Sequence, residues 1–246
     1  MDFKRFSLCS LLCLAASSLF NFAHAAPLVS IGDNTDIYFN GSTSLKWSSN
    51  LFSDESDEVE DILYTISPGF EINVGRGLTN ADFSVITRYN IRRYFDEDQL
   101  DTELFNIRAV GSYSSSRLDL SASVSYNEDK SGVNDVRLGG RQLDLVGSDS
   151  FDAKLSAEYR LSPKFSFGAG VSYSEFSYTG DFGGFFADRD TLKFPLNLFY
   201  ELTPKIDLSA GYSYGQSDVD DVEVWPIDRD TSYSTDDHFF NIGARG

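Results

Sequence analysis

The chain of 246 residues has only two cysteines, and both, Cys9 and Cys13, fall within its first 25 residues. Beyond them, disulfide staples, thiolate nucleophiles and Cys-ligated metals are excluded. Histidine is as scarce: of the two present, His24 and His238, only His238 lies beyond residue 25. Centres that need several imidazoles are excluded with it. No run after residue 25 approaches the ~18 apolar residues that a membrane-crossing helix requires. Bases are few, 20 Lys and Arg against 38 Asp and Glu, for a formal charge of −18. So acidic a chain repels nucleic acid, and no nucleic-acid partner is expected.

The first residues carry Lys4 and Arg5, then a mostly apolar run over 6–20, then Ala23-His24-Ala25, a small-x-small cleavage site. We read 1–25 as a cleaved secretory signal peptide. Ser7, Ser10, Ser17, Ser18 and Asn21 interrupt the run that a membrane anchor would need. Its removal takes the charge from −18 to −19. Residues 26–246 then form one domain.

What the chain does have is alternation. In 151–161 Phe151, Ala153, Leu155, Ala157, Tyr159 and Leu161 alternate with Asp152, Lys154, Ser156, Glu158 and Arg160. Period two puts the apolar set on one face of a strand and the charged set on the other. A face this charged does not suit a sandwich core; it suits strands with lipid on one side and a wet lumen on the other. The unit also repeats: RLSPKFSFGAGVSY at 160–173 returns as ELTPKIDLSAGYSY at 201–214, a strand end, a Pro-Lys turn and a new strand.

The same reading along the chain predicts strands at about 36–47, 61–74, 81–95, 103–113, 117–126, 150–161, 165–177, 191–202 and 206–214, with a tenth from 237. Short connections (75–80, 114–116, 162–164, 203–205) alternate with longer ones (48–60, 96–102, 127–149, 178–190, 215–236). Short on one rim and long on the other is the outer-membrane pattern, and a barrel crosses a bilayer with no continuous apolar run. The five long connections hold 24 Asp and Glu against five Lys and Arg. Aromatics at strand ends, Trp47, Tyr64, Tyr89, Tyr113, Tyr126, Tyr159, Tyr173, Tyr200, Tyr212 and Tyr214, mark interfacial girdles. The fold class is therefore all-β, an antiparallel up-and-down transmembrane β-barrel. The third Pro-Lys turn is due near residue 244, where the chain stops without a terminal aromatic. We therefore expect a C-terminally incomplete barrel, about ten strands of a total nearer 14 to 18.

The segment DILYTISPGFEINVGRGLTN at 61–80 contains Ser67-Pro68-Gly69 and is followed by an Arg- and Tyr-rich strand and then the Pro-Lys hairpins. In this it resembles the beta-barrel porin 2 family of outer-membrane proteins. The resemblance covers most of 26–246. It implies an outer-membrane barrel of unspecified substrate in a family associated with exopolysaccharide export, and it implies no catalytic residues.

Candidate solute-facing residues are the charges of the polar phase. Arg88, Arg92 and Arg108 fall on the third and fourth expected strands; Asp119, Asp152, Glu158, Glu201 and Asp207 fall on later ones. Opposed rows of charge across a lumen would set up a transverse field that orients polar solutes. The alternative is that the charges pair and fill the interior, as they do in a small barrel. The acidic loops read as solvated coil, with divalent-cation binding (Ca²⁺ or Mg²⁺) as the sharper option; Asp54, Asp57, Asp218 and Asp220 are the candidate ligands. No other cofactor is expected.

Expected partners are outer-membrane lipid and lipopolysaccharide, with a small polar solute or saccharide in the lumen. A non-catalytic structural or adhesive barrel is the alternative. Asp236-Asp237-His238, with Asp96 and Asp98 on an outer loop, also matches the residue types of an omptin-type outer-membrane protease. Acidic residues saturate every loop, however, so we expect no enzymatic activity.

Overall fold

A computed structural model describes residues 26–51, 58–75, 80–133, 144–180, 186–222 and 231–245. The signal segment lies outside them, as do Asp54 and Asp57. Eleven strands form one sheet in which each strand pairs antiparallel with its sequence neighbours. They are β1 (Val29–Ile31), β2 (Thr35–Ser48), β3 (Asp61–Val74), β4 (Ala81–Tyr94), β5 (Thr102–Ser114), β6 (Leu118–Val133), β7 (Asp144–Arg160), β8 (Phe165–Thr179), β9 (Arg189–Thr203), β10 (Ile206–Val219) and β11 (Tyr233–Arg245). The ten long strands are those expected from alternation. The additions are the three-residue β1 and a 3₁₀ turn, Asp98–Leu100. Both are too short to generate a period.

Strand ends differ from expectation on the long-loop side. The β6–β7 ladder continues to Val133 opposite Asp144, and β10–β11 pairing reaches Val219 opposite Tyr233. The apolar phase stops earlier, but backbone hydrogen bonds need no apolar side chain, so the hairpins project beyond the last alternating residue. The sheet is open: no pairing joins β11 to β1 or β2 among the described residues.

The short turns have local causes. Between β7 and β8, the Ser162 hydroxyl accepts the backbone N–H of Lys164 (3.3 Å) and Phe165 (3.1 Å) while Pro163 sets the turn's φ. Between β9 and β10 the Thr203 hydroxyl accepts Lys205 N–H at 3.3 Å. Gly75, with φ +94°, turns the chain out of β3, and a Cβ there would meet the Ala81 carbonyl oxygen. Inside β3, Pro68 offers no N–H, and the β3–β4 register passes from Ile66–Ile91 to Gly69–Arg88 across it.

No ordinary hydrophobic core exists among the described residues: only Leu100, Leu104 and Val146 are buried apolar side chains. Large apolar residues are instead exposed along one phase, among them Phe39, Phe70, Leu155, Phe167, Leu196 and Phe240. Cross-strand register joins them into rows such as Phe165–Tyr200–Leu208 and Ile72–Val85–Ala109–Val124. An apolar area this large calls for an apolar solvent.

Candidate functional site

Residues directly opposite in an antiparallel ladder share a face. The other face therefore carries the row Arg108–Ser125–Asp152–Ser174–Thr191–Ser217–Thr235. A neighbouring row is Lys154–Ser172–Lys193–Gly215–Asp237. Hydroxyls and charges dominate both.

This polar face is the inside of the curve. Arg245 on β11 bonds Glu158 on β7 at 2.7 and 2.9 Å, although β8, β9 and β10 lie between them. Neighbouring strands sit about 4.8 Å apart, so on a flat sheet that gap would exceed what the two side chains can span. The sheet must curl toward its polar side. Arg92 reaches Asp129 on β6 (3.9 Å) over the same face. A cavity of about 730 Å³ opens here, lined by Asp152, Lys154, Glu175, Arg189, Lys193 and Asp237 among mostly hydroxyl-bearing residues.

The solute-facing candidates divide by depth. Asp119, Glu158, Glu201 and Asp207 all lie near the short-turn ends of their strands. Asp119 is directly opposite Glu158, and Glu201 opposite Asp207. Arg245 binds Glu158 and Asp207 (3.0 Å) and lies over the Phe199 ring at 3.7 Å. Asp119 accepts the Ser114 hydroxyl, and Asp152, midway along β7, accepts that of Ser174 at 2.9 Å. Arg88 and Arg108 stand near the middle of β4 and β5, exposed and with no ion pair among the described residues. Charge is thus layered along the strands, acidic at the short-turn rim and basic above it. Polarity phase alone shows which face a residue takes; its depth needs the turn positions as well. Arg245, through its ion pairs, and Lys193, through its place in the cavity wall, join the candidate residues of this face that the sequence reading did not single out.

The long-loop rim explains part of the acidity. Buried Asp61 accepts backbone N–H groups from Phe95, Asp96 and Glu97 at 3.1 to 3.4 Å, holding the β4–β5 connection. Asp101 takes Tyr94 N–H and Asp188 takes Tyr178 N–H. Beyond β10, Asp221 accepts the Thr231 hydroxyl and N–H (both 2.7 Å) and Val222 N–H (2.9 Å). These bonds hold its carboxyl below the ordinary carboxylate range, the Thr231 hydroxyl contributing most. Such carboxylates organise loops rather than merely solvate them. Of the cation-ligand candidates, Asp218 accepts from Gln216 at 3.1 Å. Asp220 donates its N–H to the Asp188 carbonyl at 2.9 Å. Among the described residues no three His, Asp or Glu side chains group closely enough to hold a metal.

On the convex face, at the same rim, tyrosine hydroxyls donate to carboxylates. The pairs are Tyr89–Glu103 (2.5 Å), Tyr126–Glu128 (3.3 Å), Tyr173–Glu175 (3.1 Å) and Tyr214–Asp236 (2.7 Å). Each ring borders the apolar zone while its hydroxyl meets the polar layer. His238 belongs to this face: its Nδ1 bonds the Tyr212 hydroxyl at 2.9 Å. Asp96 and Asp98 lie in the β4–β5 connection, remote in sheet order from His238 on β11.

No protein-family model matches the chain, and neither does any curated protein. Solved structures do match. The outer membrane channel DcaP of Acinetobacter baumannii aligns with a TM-score of 0.50 at 11% identity, over 92% of this chain and 68% of that one. The copper transporter OprC aligns with a TM-score of 0.51 at 13% identity, over 86% of this chain. The chain spans only 38% of OprC's length. The fold is that of the outer-membrane β-barrels. Its up-and-down strand order, apolar convex face and polar concave face follow that architecture throughout.

Proposed function

We propose that the protein is an outer-membrane channel whose concave face lines a path for small polar solutes, saccharides included. The observation that carries this reading is the separation of faces. Exposed apolar side chains fill the convex phase, and an open, hydroxyl-rich, mixed-charge cavity of about 730 Å³ lies on the concave one. An apolar exterior matches lipid, and a charged interior matches water. The resemblance of 61–80 and of the Pro-Lys hairpins to the beta-barrel porin 2 family supports the same reading. We take the protein to act without catalysis, since His238 and Asp236 are engaged by tyrosines on the convex side.

Planar-bilayer recording of the purified, refolded protein tests the channel. Discrete conductance steps are expected. Their absence from correctly folded protein would favour a structural barrel whose interior charges pair. Peptide cleavage lost in His238→Ala would instead reveal an enzyme.

A further inference from the structure

Paired and unpaired cations of the concave face occupy different depths. Arg245, at the short-turn rim, is held by Glu158 and Asp207. Arg92, toward the long-loop rim, reaches Asp129. Between the rims Arg88, Arg108 and Lys154 are exposed and have no ion pair among the described residues, and the same holds for Lys193 somewhat above them. Register puts Lys154 and Lys193 in one row with only Ser172 between them, and both line the large cavity. Carboxylates facing the same zone are Asp152, already accepting Ser174, Asp237 on the edge strand, and Glu71, which shares a row with Arg108 across Ile86 and accepts from Asn73. Toward the long-loop rim the cavity wall adds Glu175 and Arg189, one charge of each sign. The middle of the face is therefore net basic, although the chain as a whole is acidic.

Which charge a solute meets depends on screening. Arg88, Arg108 and Lys154 lie at least six residues from either end of their strands. At about 3.3 Å per residue that is roughly 20 Å along the strand. The Debye length at physiological ionic strength is ~8 Å, so the acidic rims and loops are largely screened from mid-depth, and the local bases set the potential there. Flanking hydroxyls of Ser172, Ser174 and Thr191 offer donors to further oxygens on the same solute.

We propose that Arg88, Arg108, Lys154 and Lys193 form an anion-accepting zone, and that small solutes bearing carboxylate or phosphate groups are those the channel favours. The inference rests on the channel reading for its transport consequence, but the zone itself can be tested apart from conduction.

In a bilayer with a KCl gradient, the reversal potential should take the sign of chloride permeation, and K154E/K193E should shift it toward potassium. A potassium-selective wild type would overturn the proposal while leaving the channel intact. Full-length protein refolded in detergent gives a second readout that needs neither conductance nor a variant. Lysine acylation followed by mass spectrometry compares Lys154 and Lys193 with the turn residues Lys164 and Lys205, with and without citrate or inorganic phosphate. At an anion concentration twice its Kd, acylation of the first pair should slow about threefold, with the turn lysines unchanged. Glucose should have no such effect. Equal reactivity of all four lysines with and without anion would overturn the zone whatever the conductance shows.

Discussion

Arg245 on the last strand holds Glu158, four strands back, through two hydrogen bonds at 2.7 and 2.9 Å, and holds Asp207 on the neighbouring strand at 3.0 Å. It sits among like charges that oppose one another directly, Asp119 with Glu158 and Glu201 with Asp207. Directly opposed carboxylates repel, and a guanidinium between strands offsets that. Arg245→Ala should therefore destabilise the sheet by about 1 kcal/mol, a value kept small because the pair is partly solvated. Arg245→Lys should recover part of this, since an ammonium lacks the fork that engages both oxygens of Glu158. Urea unfolding from lipid vesicles gives the comparison; no loss in either variant would show the contact to be energetically idle.

The two faces should respond oppositely to charge. Leu155, exposed on the convex face of β7, becomes costly as arginine, by about 2–4 kcal/mol near the bilayer midplane. Ser156, whose hydroxyl meets that of Ser121 at 2.7 Å on the concave face, should tolerate the same change. Similar folding yields in lipid for Leu155→Arg and Ser156→Arg would mean that alternation does not separate lipid from water.

Protease added to intact cells should clip within 127–149 or 215–236, the two longest connections of the sequence. Ladder pairing protects the flanks as far as Val133–Asp144 and Val219–Tyr233, while the short turns at 162–164 and 203–205 face the other side. Cuts confined to those turns would invert the topology.

Asp221 ties the two ends of the last long connection together through Thr231 and Val222. Its carboxyl is held below the ordinary range, so its contribution is present above the unfolded pKa of ~3.9 and is lost as pH falls through the lower folded value. Amide exchange at Val222 and Thr231, corrected for intrinsic rate, should lose protection over that acidic window. Asp221→Asn should lack the step; an unchanged profile would remove the clasp from the account.

Gly69 is packed against backbone. A Cβ there would come within 2.5 Å of the Thr87 carbonyl oxygen and 2.6 Å of Asn40 Oδ1. The asparagine can move, but the carbonyl belongs to the adjacent strand. Gly69→Ala should cost about 1–3 kcal/mol, read as a lower urea midpoint at unchanged slope.

The fold was legible because its rule is local. Period two in 151–161 and the Pro-Lys turn at 162–164 each need only neighbours in sequence, so strand number and faces follow from them. Val133 and Tyr233 were not legible as strand residues, since ladder bonds continue where side-chain polarity carries no signal. Arg245 was hidden for a different reason. Its partners lie 87 and 38 residues away, and curvature alone brings them within reach. Arg88 and Arg108 were assigned to the polar phase from sequence, but their lack of partners is a fact of three dimensions.

With only Leu100, Leu104 and Val146 buried among the apolar side chains of the described residues, these strands carry almost none of their hydrophobic stabilisation inside the sheet. The state opposed to the native one is then not a chain in water but a chain beside a bilayer, and the heat-capacity change of folding becomes a property of the lipid contact. On its way to the membrane the same surface has no solvent of its own. Delivery must therefore keep the strands apart until lipid is at hand, and any carrier that does so has to bind this apolar phase without templating its edges.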